Sequence, residues 1–408
     1  MSYDVLVAGG GAGGVAAALG AARSGAKVLL AERYGFLGGA ATNAGVLAYC
    51  GLFERGDTAV PAVGGAADLI LSEMRALGCE TTPFQSRTSG NWLVMLDPEV
   101  TKLAFDRVLM AHDVTVLHHV LATSDDNLVS VTLTGLEGPQ RVTARAFVDA
   151  TGNAQLASSA GIPCRDGNGD GQIQALSCPI RVGGLPEGLT LDRDLLRDAL
   201  ADYSQTGAYP VARDNAGFIG RIPGSSDVWW MIIDHPLPAF TSHALSRAER
   251  HARAAARDYV AVLRDTHPGC GNATLLATGP QVGIRESRHP KARAQVTEHC
   301  LTEGKTHEHG IARAAWPMEN HTQIGRPTFV PVGGPGFAHI PLDALRAQGH
   351  DNLYYAGRLI GADPLAYGSI RVMGTAFATG EAAGVAAAMP GSDVAAIQEK
   401  LRNSGALI

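Results

Sequence analysis

The chain has 408 residues, of which 46% are hydrophobic and 18% charged, a balance that is typical of a globular protein and excludes an intrinsically disordered one. A length of this order favours two interleaved domains over one. The net charge of −6 supplies no basic surface, so we expect no nucleic-acid partner, and no apolar run is long enough to span a bilayer. The first strand begins almost at once, so we expect no signal peptide and a cytoplasmic protein.

Residues 4–32 predict a strand, a glycine turn, a helix and a second strand that is closed by an acid. A short apolar run precedes the glycine-rich segment GGGAGG at 9–14. Gly9 permits a tight turn, Gly11 lets a pyrophosphate approach the backbone, and Gly14 lets the helix pack on the strand.

The helix after this turn is predicted to bind the phosphates of a dinucleotide. Its N-terminus at Ala12 and Gly13 offers free N–H groups and a partial positive charge. The second apolar run ends on Glu32, about 20 residues beyond the glycines, where a carboxylate can accept hydrogen bonds from a ribose diol. Because strand, turn, helix and acid occur together, nucleotide binding is favoured over the alternative, a helix packed on a strand without a ligand.

A second glycine pair follows Glu32 and indicates FAD, since an NAD site does not need it. The segment 33–43 resembles the corresponding segment of the glutathione-reductase-like class of FAD domains, in which small residues let the backbone run along the pyrophosphate and ribityl chain. The cofactor-binding residues that this resemblance implies here are Arg33, Gly38, Gly39, Ala40, Ala41 and Thr42.

Three later segments resemble further parts of the same class. Residues 147–153 resemble its strand-end "ATG" signature, residues 352–358 form a predicted strand that runs into a loop, and residues 368–384 form a loop that feeds a helix of small residues. The dipole of that helix would stabilise the negative charge of a reduced flavin. The cofactor-binding residues predicted in and around these segments are Val120, Ala150, Thr151, Gly152, Gly357, Arg358, Met373 and Gly374.

Taken in order over nearly the whole chain, these pieces resemble the broad family of bacterial FAD-dependent oxidoreductases related to fumarate reductase flavoproteins and thiazole synthases. The segment 92–102 resembles the family's "W…DPE…K" helix start, 281–288 its "GIRESR" run and 316–321 its "WPI-acid-x-H" run. Two departures, His289-Pro290 and the segment 337–341, fall near where a substrate should lie. The resemblance therefore says little about the substrate.

The fold class that the resemblance implies is α/β, a glutathione-reductase-like FAD-binding Rossmann domain with an inserted, mainly antiparallel substrate domain. We expect residues 1–160 to form the first part of the FAD-binding domain, 161–345 the substrate or cap domain, and 346–408 the C-terminal part of the FAD-binding domain. No second strand–GxGxxG–helix unit occurs between Gly161 and Leu345, so NAD(P)H has no evident domain of its own. Electrons are therefore expected to enter from an organic substrate and to leave to dioxygen, a quinone or a carrier protein.

The cysteines and most histidines suggest structural roles. None of the six cysteines forms a CxxC pair, which excludes the redox-active disulfide of dithiol reductases, and Cys50 is the one that follows the flavin segment. His307 and His309 lack a third ligand, so we expect no metal site.

Two of the fourteen histidines are the candidate catalytic bases. His321 and His339 lie in runs that the resemblance places at the flavin face, and histidine is the natural base at neutral pH. Glu319 could orient a histidine or act as the base itself, or it could be a surface carboxylate. Arg371 could bind a substrate carboxylate, neutralise a reduced flavin, or form a structural ion pair.

The predicted function is an FAD-dependent dehydrogenase or oxidase that takes a hydride from a C–OH, C–N or C–C bond of a small organic substrate. A flavin-dependent reductase of activated alkenes is the first alternative, and a flavin monooxygenase is disfavoured because its mid-chain "DG" and late "GD" motifs are absent. An FAD-containing RNA-modification protein or a non-catalytic flavin-binding protein would belong to a different class. The expected partner is a small-molecule substrate, and a homo-oligomer stays open.

Overall fold

The computed structural model describes residues 2–86, 89–125 and 128–408. The first part of the chain builds most of an α/β layer. Its elements are β1 (Ser2–Ala8), α1 (Ala12–Arg23), β2 (Val28–Ala31), β3 (Ala48–Cys50), α2 (Ala66–Ala76), β4 (Phe84–Gln85), β5 (Trp92–Met95), α3 (Pro98–Met110), β6 (Thr115–Leu117), β7 (Leu121–Ser124), β8 (Ser130–Gly135), β9 (Gly138–Asp149) and α4 (Gln155–Ser159).

The middle of the chain builds a second sheet with two long helices. Its elements are β10 (Cys164–Asp166), β11 (Leu176–Gly183), α5 (Arg193–Thr206), β12 (Phe218–Arg221), β13 (Val228–His235), α6 (Ser242–Thr266), β14 (Thr274–Thr278) and β15 (Arg288–Pro290). The last part returns to the first layer. Its elements are α7 (Glu298–Glu303), β16 (Gly310–Ala314), β17 (Met318–Asn320), β18 (Thr328–Val330), β19 (Ala338–Pro341), a 3₁₀ turn (Leu342–Ala344), β20 (Leu353–Tyr355), a second 3₁₀ turn (Gly357–Leu359), α8 (Tyr367–Ile370), α9 (Met373–Ala388) and α10 (Val394–Asn403).

The main sheet has the strand order β6-β2-β1-β9, and these neighbours are parallel. Strand β9 is long enough to have two partners on its other side. Its first half forms an antiparallel hairpin with β8, and its last three residues pair in parallel with β20. The carboxyl ends of β1, β2, β9 and β20 therefore meet at one edge of the sheet, which is where open α/β sheets bind their ligands.

Helices α1 and α9 cross with their backbones in contact, and this crossing joins the two ends of the chain. A Cβ atom on Gly380 would overlap the carbonyl oxygen of Gly13, and one on Gly384 would overlap that of Ala17. Both helices are buried along nearly their whole length. The small residues of the C-terminal helix are thus explained by packing onto the N-terminal βαβ unit.

The inserted sheet is antiparallel and has the strand order β12-β13-β11-β14. It carries its own hydrophobic core, in which Trp230 packs with the alanine-rich face of α6 around Ala252 and Tyr259. The predicted α/β architecture is therefore confirmed: a layer around a largely parallel sheet, with an inserted, antiparallel sheet.

The domain boundaries stay a prediction, but the two hydrophobic cores show which residues pack together. The second core extends from Leu176 to Val282. Buried residues between Val296 and Leu345, which the sequence assigned to the inserted domain, pack in the first core. Within the described part of the chain, no helix is both long and apolar enough to cross a membrane.

Candidate active site

A cavity of about 950 Å³ opens at the carboxyl edge of the main sheet and extends to the inserted sheet. Its volume is at the upper end of the range of ligand pockets in proteins. One end is lined by Gly9, Gly11 and Glu32, and the other by Glu319 and His321. One continuous space thus joins the predicted nucleotide cradle to the predicted catalytic residues.

The glycine turn has the geometry that its sequence predicts. Gly9 has a φ of +97°, a conformation that favours glycine, and a Cβ atom on Gly14 would overlap its carbonyl oxygen. At Gly11 a Cβ atom would meet only the Cα of Gly39, at 3.6 Å, and Gly11 lines the cavity. A side chain at 11 would therefore project into the space that a phosphate chain needs at the N-terminus of α1.

Glu32 is held in place by the backbone around it and still faces the cavity. Its Oε2 accepts a hydrogen bond from the backbone N–H of Gly10 at 2.6 Å, and its Oε1 accepts one from that of Tyr34 at 3.0 Å. Each carboxylate oxygen has a further lone pair, so Glu32 can accept from a ribose hydroxyl as well. Arg33 also lines the cavity, with its guanidinium 4.6 Å from the centre of the Tyr34 ring.

Residues 38–42, around the second glycine pair, include both cavity-lining and structural residues. Gly39 and Ala40 line the cavity. Gly38 donates its N–H to the carbonyl of Gly10 at 2.8 Å. The structural members Ala41 and Thr42 are buried, and the Thr42 hydroxyl donates to the carbonyl of Leu37 at 2.6 Å. The turn that carries Gly39 is thus closed by local hydrogen bonds.

The loop after β9 is organised by Asp149, which is fully buried. Its carboxylate accepts from the hydroxyl of Thr151 at 2.6 Å and from the N–H of Ala157 at 3.0 Å. Burial raises the pKa of Asp149, although these hydrogen bonds act in the opposite direction. The loop residues Ala150, Thr151 and Gly152 all line the cavity.

Arg358 joins three segments of the chain beside this loop. Its guanidinium donates to the carbonyl of Gly152 at 2.6 Å, to Oδ1 of Asn153 at 2.8 Å and to the carbonyl of Ile284. Arg358 therefore fixes the returning chain against the end of β9, and it lines the cavity together with Gly357.

The remaining predicted cofactor residues differ in their positions. Met373, at the start of α9, lines the cavity. Gly374 packs against the backbone of Cys50 and Gly51, where a Cβ atom would overlap. Val120 donates its N–H to the carbonyl of Glu32 at 3.1 Å and is not among the lining residues. These last two residues support the cradle from behind.

The cradle fits FAD on the evidence of its own residues. The open Cβ direction at Gly11, the cavity-lining N-terminus of α1 and the acceptor at Glu32 match a pyrophosphate and a ribose. The cavity then continues past Arg358 and Met373 at the start of α9, which leaves room for a ring system between the two sheets.

Glu319 and His321 form a hydrogen-bonded pair at the far end of the cavity. Nε2 of His321 lies 2.8 Å from Oε1 of Glu319, whose Oε2 accepts from the indole N–H of Trp316 at 3.0 Å. The backbone N–H of His321 donates to the side-chain oxygen of Gln174 at 3.1 Å. His321 is 2% exposed, and its Nδ1 has no hydrogen-bond partner among the described residues.

The protonation states follow from burial and from two guanidinium groups. Burial and the charge of Arg285 lower the pKa of His321 to about 4, although Glu319 acts in the opposite direction. Burial also disfavours the charged form of Glu319, but the hydrogen bond from His321 and the charge of Arg371 outweigh it and hold the pKa of Glu319 below its ordinary value. At neutral pH the pair is a carboxylate and a neutral imidazole.

Two arginines border the pair. Arg371 donates from Nη2 to the backbone carbonyl of Glu319 at 3.1 Å. Arg285 donates to the carbonyl of Ala175 at 2.6 Å and forms an ion pair with Asp234 at 3.0 Å. Asp234 is fully buried in its side chain and also pairs with Arg213, at 2.9 Å. Despite burial, these two guanidinium groups lower the pKa of Asp234.

The structure brings three of the four predicted catalytic residues together: Glu319, His321 and Arg371 line the cavity. His339 is not among the lining residues. It lies on β19, where Nδ1 is 3.0 Å from the backbone nitrogen of His307 and the ring stacks on Phe337. The resemblance places the loop that carries His339 at the flavin face, but it does not indicate on which face of the strand the His339 ring lies.

Several lining residues were not predicted. Phe218, Trp229 and Met231 form an apolar wall on the inserted sheet, and Arg213 lies beside them. Alternating apolar residues predict these strands, but nothing local shows which face meets the cavity. Arg285, from the run 281–288, also lines the cavity. Cys50 also lines it, and burial raises the pKa of its thiol, so it stays protonated at neutral pH.

The fold and the cavity together define a flavoprotein of the FAD-binding α/β class. The chain belongs to the FAD dependent oxidoreductase family, whose model matches residues 4–401. FAD is therefore its cofactor, and the protein is an enzyme of this oxidoreductase family. No curated protein matches the chain in sequence.

Solved structures of flavin enzymes resemble the chain at low identity. OxyS anhydrotetracycline hydroxylase from Streptomyces rimosus is 14% identical, with 98% of this chain and 64% of that chain covered and a TM-score of 0.47. A flavin-dependent brominase is 14% identical, with 99% and 84% covered and a TM-score of 0.49. A geranylgeranyl bacteriochlorophyll reductase-like protein from Thermoplasma acidophilum is 12% identical, with 98% and 79% covered and a TM-score of 0.44. The chain thus spans just under two thirds of the hydroxylase.

Proposed function

We propose that the protein oxidises a small organic substrate at a C–OH, C–N or C–C bond, with dioxygen, a quinone or a carrier protein as the final electron acceptor. FAD, when bound, supplies the two-electron acceptor that takes a hydride from a substrate carbon. The protein must then orient the substrate and accept the proton that leaves with the hydride.

The observation that carries the proposal is the state of His321. Because Glu319 is ionised and can only accept, Nε2 of His321 carries the hydrogen that it shares with Oε1. The lone pair of the neutral ring therefore resides on Nδ1, the atom without a partner among the described residues, on a side chain that lines the cavity. A buried imidazole that is oriented by a carboxylate and has its other nitrogen free is arranged to act as a general base.

The same state disfavours the alternative direction of reaction. A reductase of activated alkenes must donate a proton to its substrate, but an imidazole with a pKa of about 4 carries no spare proton at neutral pH. Once His321 accepts a proton, the adjacent carboxylate of Glu319 stabilises the resulting charge. The pair thus supports oxidation of the substrate more than reduction.

A screen of alcohols, amines and acids first identifies a substrate that reduces the bound flavin under anaerobic conditions. The rate of this reduction is then measured from the flavin absorbance after rapid mixing. His321→Asn should retain FAD and a folded structure, yet reduce the flavin roughly a hundredfold more slowly or worse, with re-oxidation barely changed. His289→Asn is the matched control. Its ring also hydrogen-bonds a buried carboxylate, Glu286 at 2.9 Å, but it is not among the lining residues.

Equal rates in His321→Asn and the wild type would exclude His321 as the base. If His339→Asn alone slowed the reaction, the role would belong to the loop that carries β19. A flavin that no substrate in the screen reduces, in a protein that still binds FAD, would favour a non-catalytic flavin-binding protein.

A further inference from the structure

The inner part of the cavity carries more positive than negative charge. Four guanidinium groups line it, those of Arg213, Arg285, Arg358 and Arg371. Two carboxylates offset this charge: Asp234, which pairs with Arg213 and Arg285, and Glu319, which lies beside Arg371. Because His321 is neutral, the four guanidinium groups and two carboxylates leave a net charge of two positive units. A substrate with a negative charge is favoured in such a space, and a cation is disfavoured.

Arg371 is the guanidinium group that is free to bind this charge. Arg213 and Arg285 are paired with Asp234 at 2.9 and 3.0 Å, and Arg358 is committed to backbone and amide oxygens. Arg371 donates one hydrogen bond, to the carbonyl of Glu319, and its buried Nε has no partner in the described part of the chain. An unpartnered guanidinium N–H can donate a charge-assisted hydrogen bond to a carboxylate oxygen.

Arg371 and His321 both contact Glu319, and all three residues line the cavity. Nη2 of Arg371 is 3.1 Å from its carbonyl oxygen, and Nε2 of His321 is 2.8 Å from its carboxylate. A substrate that binds both groups must therefore carry a carboxylate and a reacting hydroxyl.

The rest of the substrate faces an apolar surface. Trp229 is held in orientation by a hydrogen bond from its indole N–H to the carbonyl of Gly45 at 2.7 Å, and Phe218 packs against it edge-on with ring centres 5.6 Å apart. Met231 continues this wall on β13. Aromatic side chains fixed in this way bind a flat or branched apolar group.

We propose that the substrate is a hydroxycarboxylate with an apolar body, bound by its carboxylate to Arg371, by its hydroxyl to Nδ1 of His321, and by its body to Trp229 and Phe218. This inference rests on the proposed function. FAD, when bound, would supply the two-electron acceptor for the hydrogen and electron pair that leave the C–H carbon. The hydroxyl proton passes to Nδ1, the C–O bond becomes a carbonyl, and the product is an oxocarboxylate.

The experiment measures equilibrium binding to the FAD-loaded, oxidised protein by calorimetry, under anaerobic conditions at low temperature so that turnover is limited. The probes are acids with bodies of different shape (3-phenyllactate, mandelate and 2-hydroxyoctanoate), the methyl ester of each, lactate, and phenylalanine as the amino analogue. We expect at least one of the three acids to bind at least tenfold more tightly than its ester, its amino analogue where tested, and lactate.

Arg371→Met should weaken binding of that acid by roughly 10- to 100-fold, the value of a charge-assisted hydrogen-bonded pair, and leave its ester unchanged. Arg371→Lys should lose less, because it keeps the charge, and it provides a second variant if the methionine protein loses FAD. Arg197→Met is the matched control, since Arg197 lines the mouth of the cavity but is half-exposed and paired with Asp194 at 2.6 Å. Trp229→Leu should weaken the acid and leave lactate unchanged.

The substrate class is overturned if none of the three acids binds more tightly than its ester, or if Arg371→Met and Arg371→Lys bind the acid as the wild type does. These results are distinct from failure of the proposed function. A neutral alcohol that reduces the flavin only when His321 is present would retain the function and refute the class. Arg371-dependent binding of an acid that never reduces the flavin would retain the class and refute the function.

Discussion

Replacing Glu319 with glutamine tests whether His321 acts as a base that the carboxylate orients. In the wild type, Glu319 accepts from two donors, the indole N–H of Trp316 at 3.0 Å and Nε2 of His321 at 2.8 Å. An amide has one oxygen and one NH₂ group, so it can accept from only one of them. The orientation of the amide that breaks fewest hydrogen bonds keeps the bond from Trp316 and turns the NH₂ group toward Nε2 of His321. Nε2 must then accept a hydrogen bond, so the hydrogen of the His321 ring moves to Nδ1.

This tautomer cannot take a proton from a substrate at Nδ1, so the whole contribution of the general base is lost. A positioned base contributes on the order of 10²–10⁴ to a proton-transfer step, and we expect Glu319→Gln to slow anaerobic flavin reduction by that factor while FAD stays bound. The matched control is Glu286→Gln, which makes the same change beside His289, at 2.9 Å, outside the cavity lining. It should leave the reduction rate within about threefold of the wild type.

The pH dependence gives an independent measurement on the same pair. The folded-state pKa of His321 is lowered to about 4, and its neutral form is the base, so the reduction rate at low substrate should be constant above about pH 5 and decrease as the pH falls through about 4. Rapid mixing across this range gives the profile. An inflection near the ordinary histidine pKa of about 6.5, or a wild-type rate in Glu319→Gln, would refute this account of the pair.

Three further outcomes follow from the cradle and the inserted sheet. Gly11→Leu should give a folded protein that does not bind FAD, because the new side chain would project into the cavity. Gly271→Leu is the control and should bind FAD normally, since a Cβ atom there meets nothing within 4 Å. The flavin absorbance of the purified proteins measures both outcomes. Glu32→Ala should weaken FAD binding by about 1.5–3 kcal/mol through loss of a charged acceptor, measured by reconstitution of the apoprotein, and an unchanged affinity would remove Glu32 from the site. NADPH should leave the flavin oxidised over seconds in stopped-flow mixing, because the inserted sheet is antiparallel rather than a second nucleotide fold, and rapid bleaching would contradict this.

The cofactor cradle could be predicted from the sequence because its interactions are local. Gly9, Gly11 and Gly14 belong to one turn, and Glu32 directly follows the next strand, so their spacing along the chain predicts their geometry. The order of the later pieces predicted that the two ends of the chain would meet. The structure shows how, through the crossing of α1 and α9 and through Arg358.

The substrate end could be predicted only in part because long-range pairing builds it. Asp234 meets Arg213 and Arg285 from different segments of the inserted unit, and Trp229 meets Gly45 across the two domains. Hydrophobic alternation predicts that such strands are half-buried, but it carries no information about which neighbour covers each face. For the same reason the assignment of His339 to the flavin face stays without support from the cavity.

The protonation state of the proposed base, His321, is the part that the sequence cannot predict, and the two buried histidine–carboxylate pairs show why. His321 with Glu319 and His289 with Glu286 have nearly equal hydrogen bonds, 2.8 and 2.9 Å, although their spacings along the chain differ. His289 packs edge-on against Tyr367, and His321 has its second nitrogen without a partner among the described residues, on a side chain at a cavity wall. What distinguishes His321 is therefore an unpartnered nitrogen on a side chain at a cavity wall, and folding alone creates that environment.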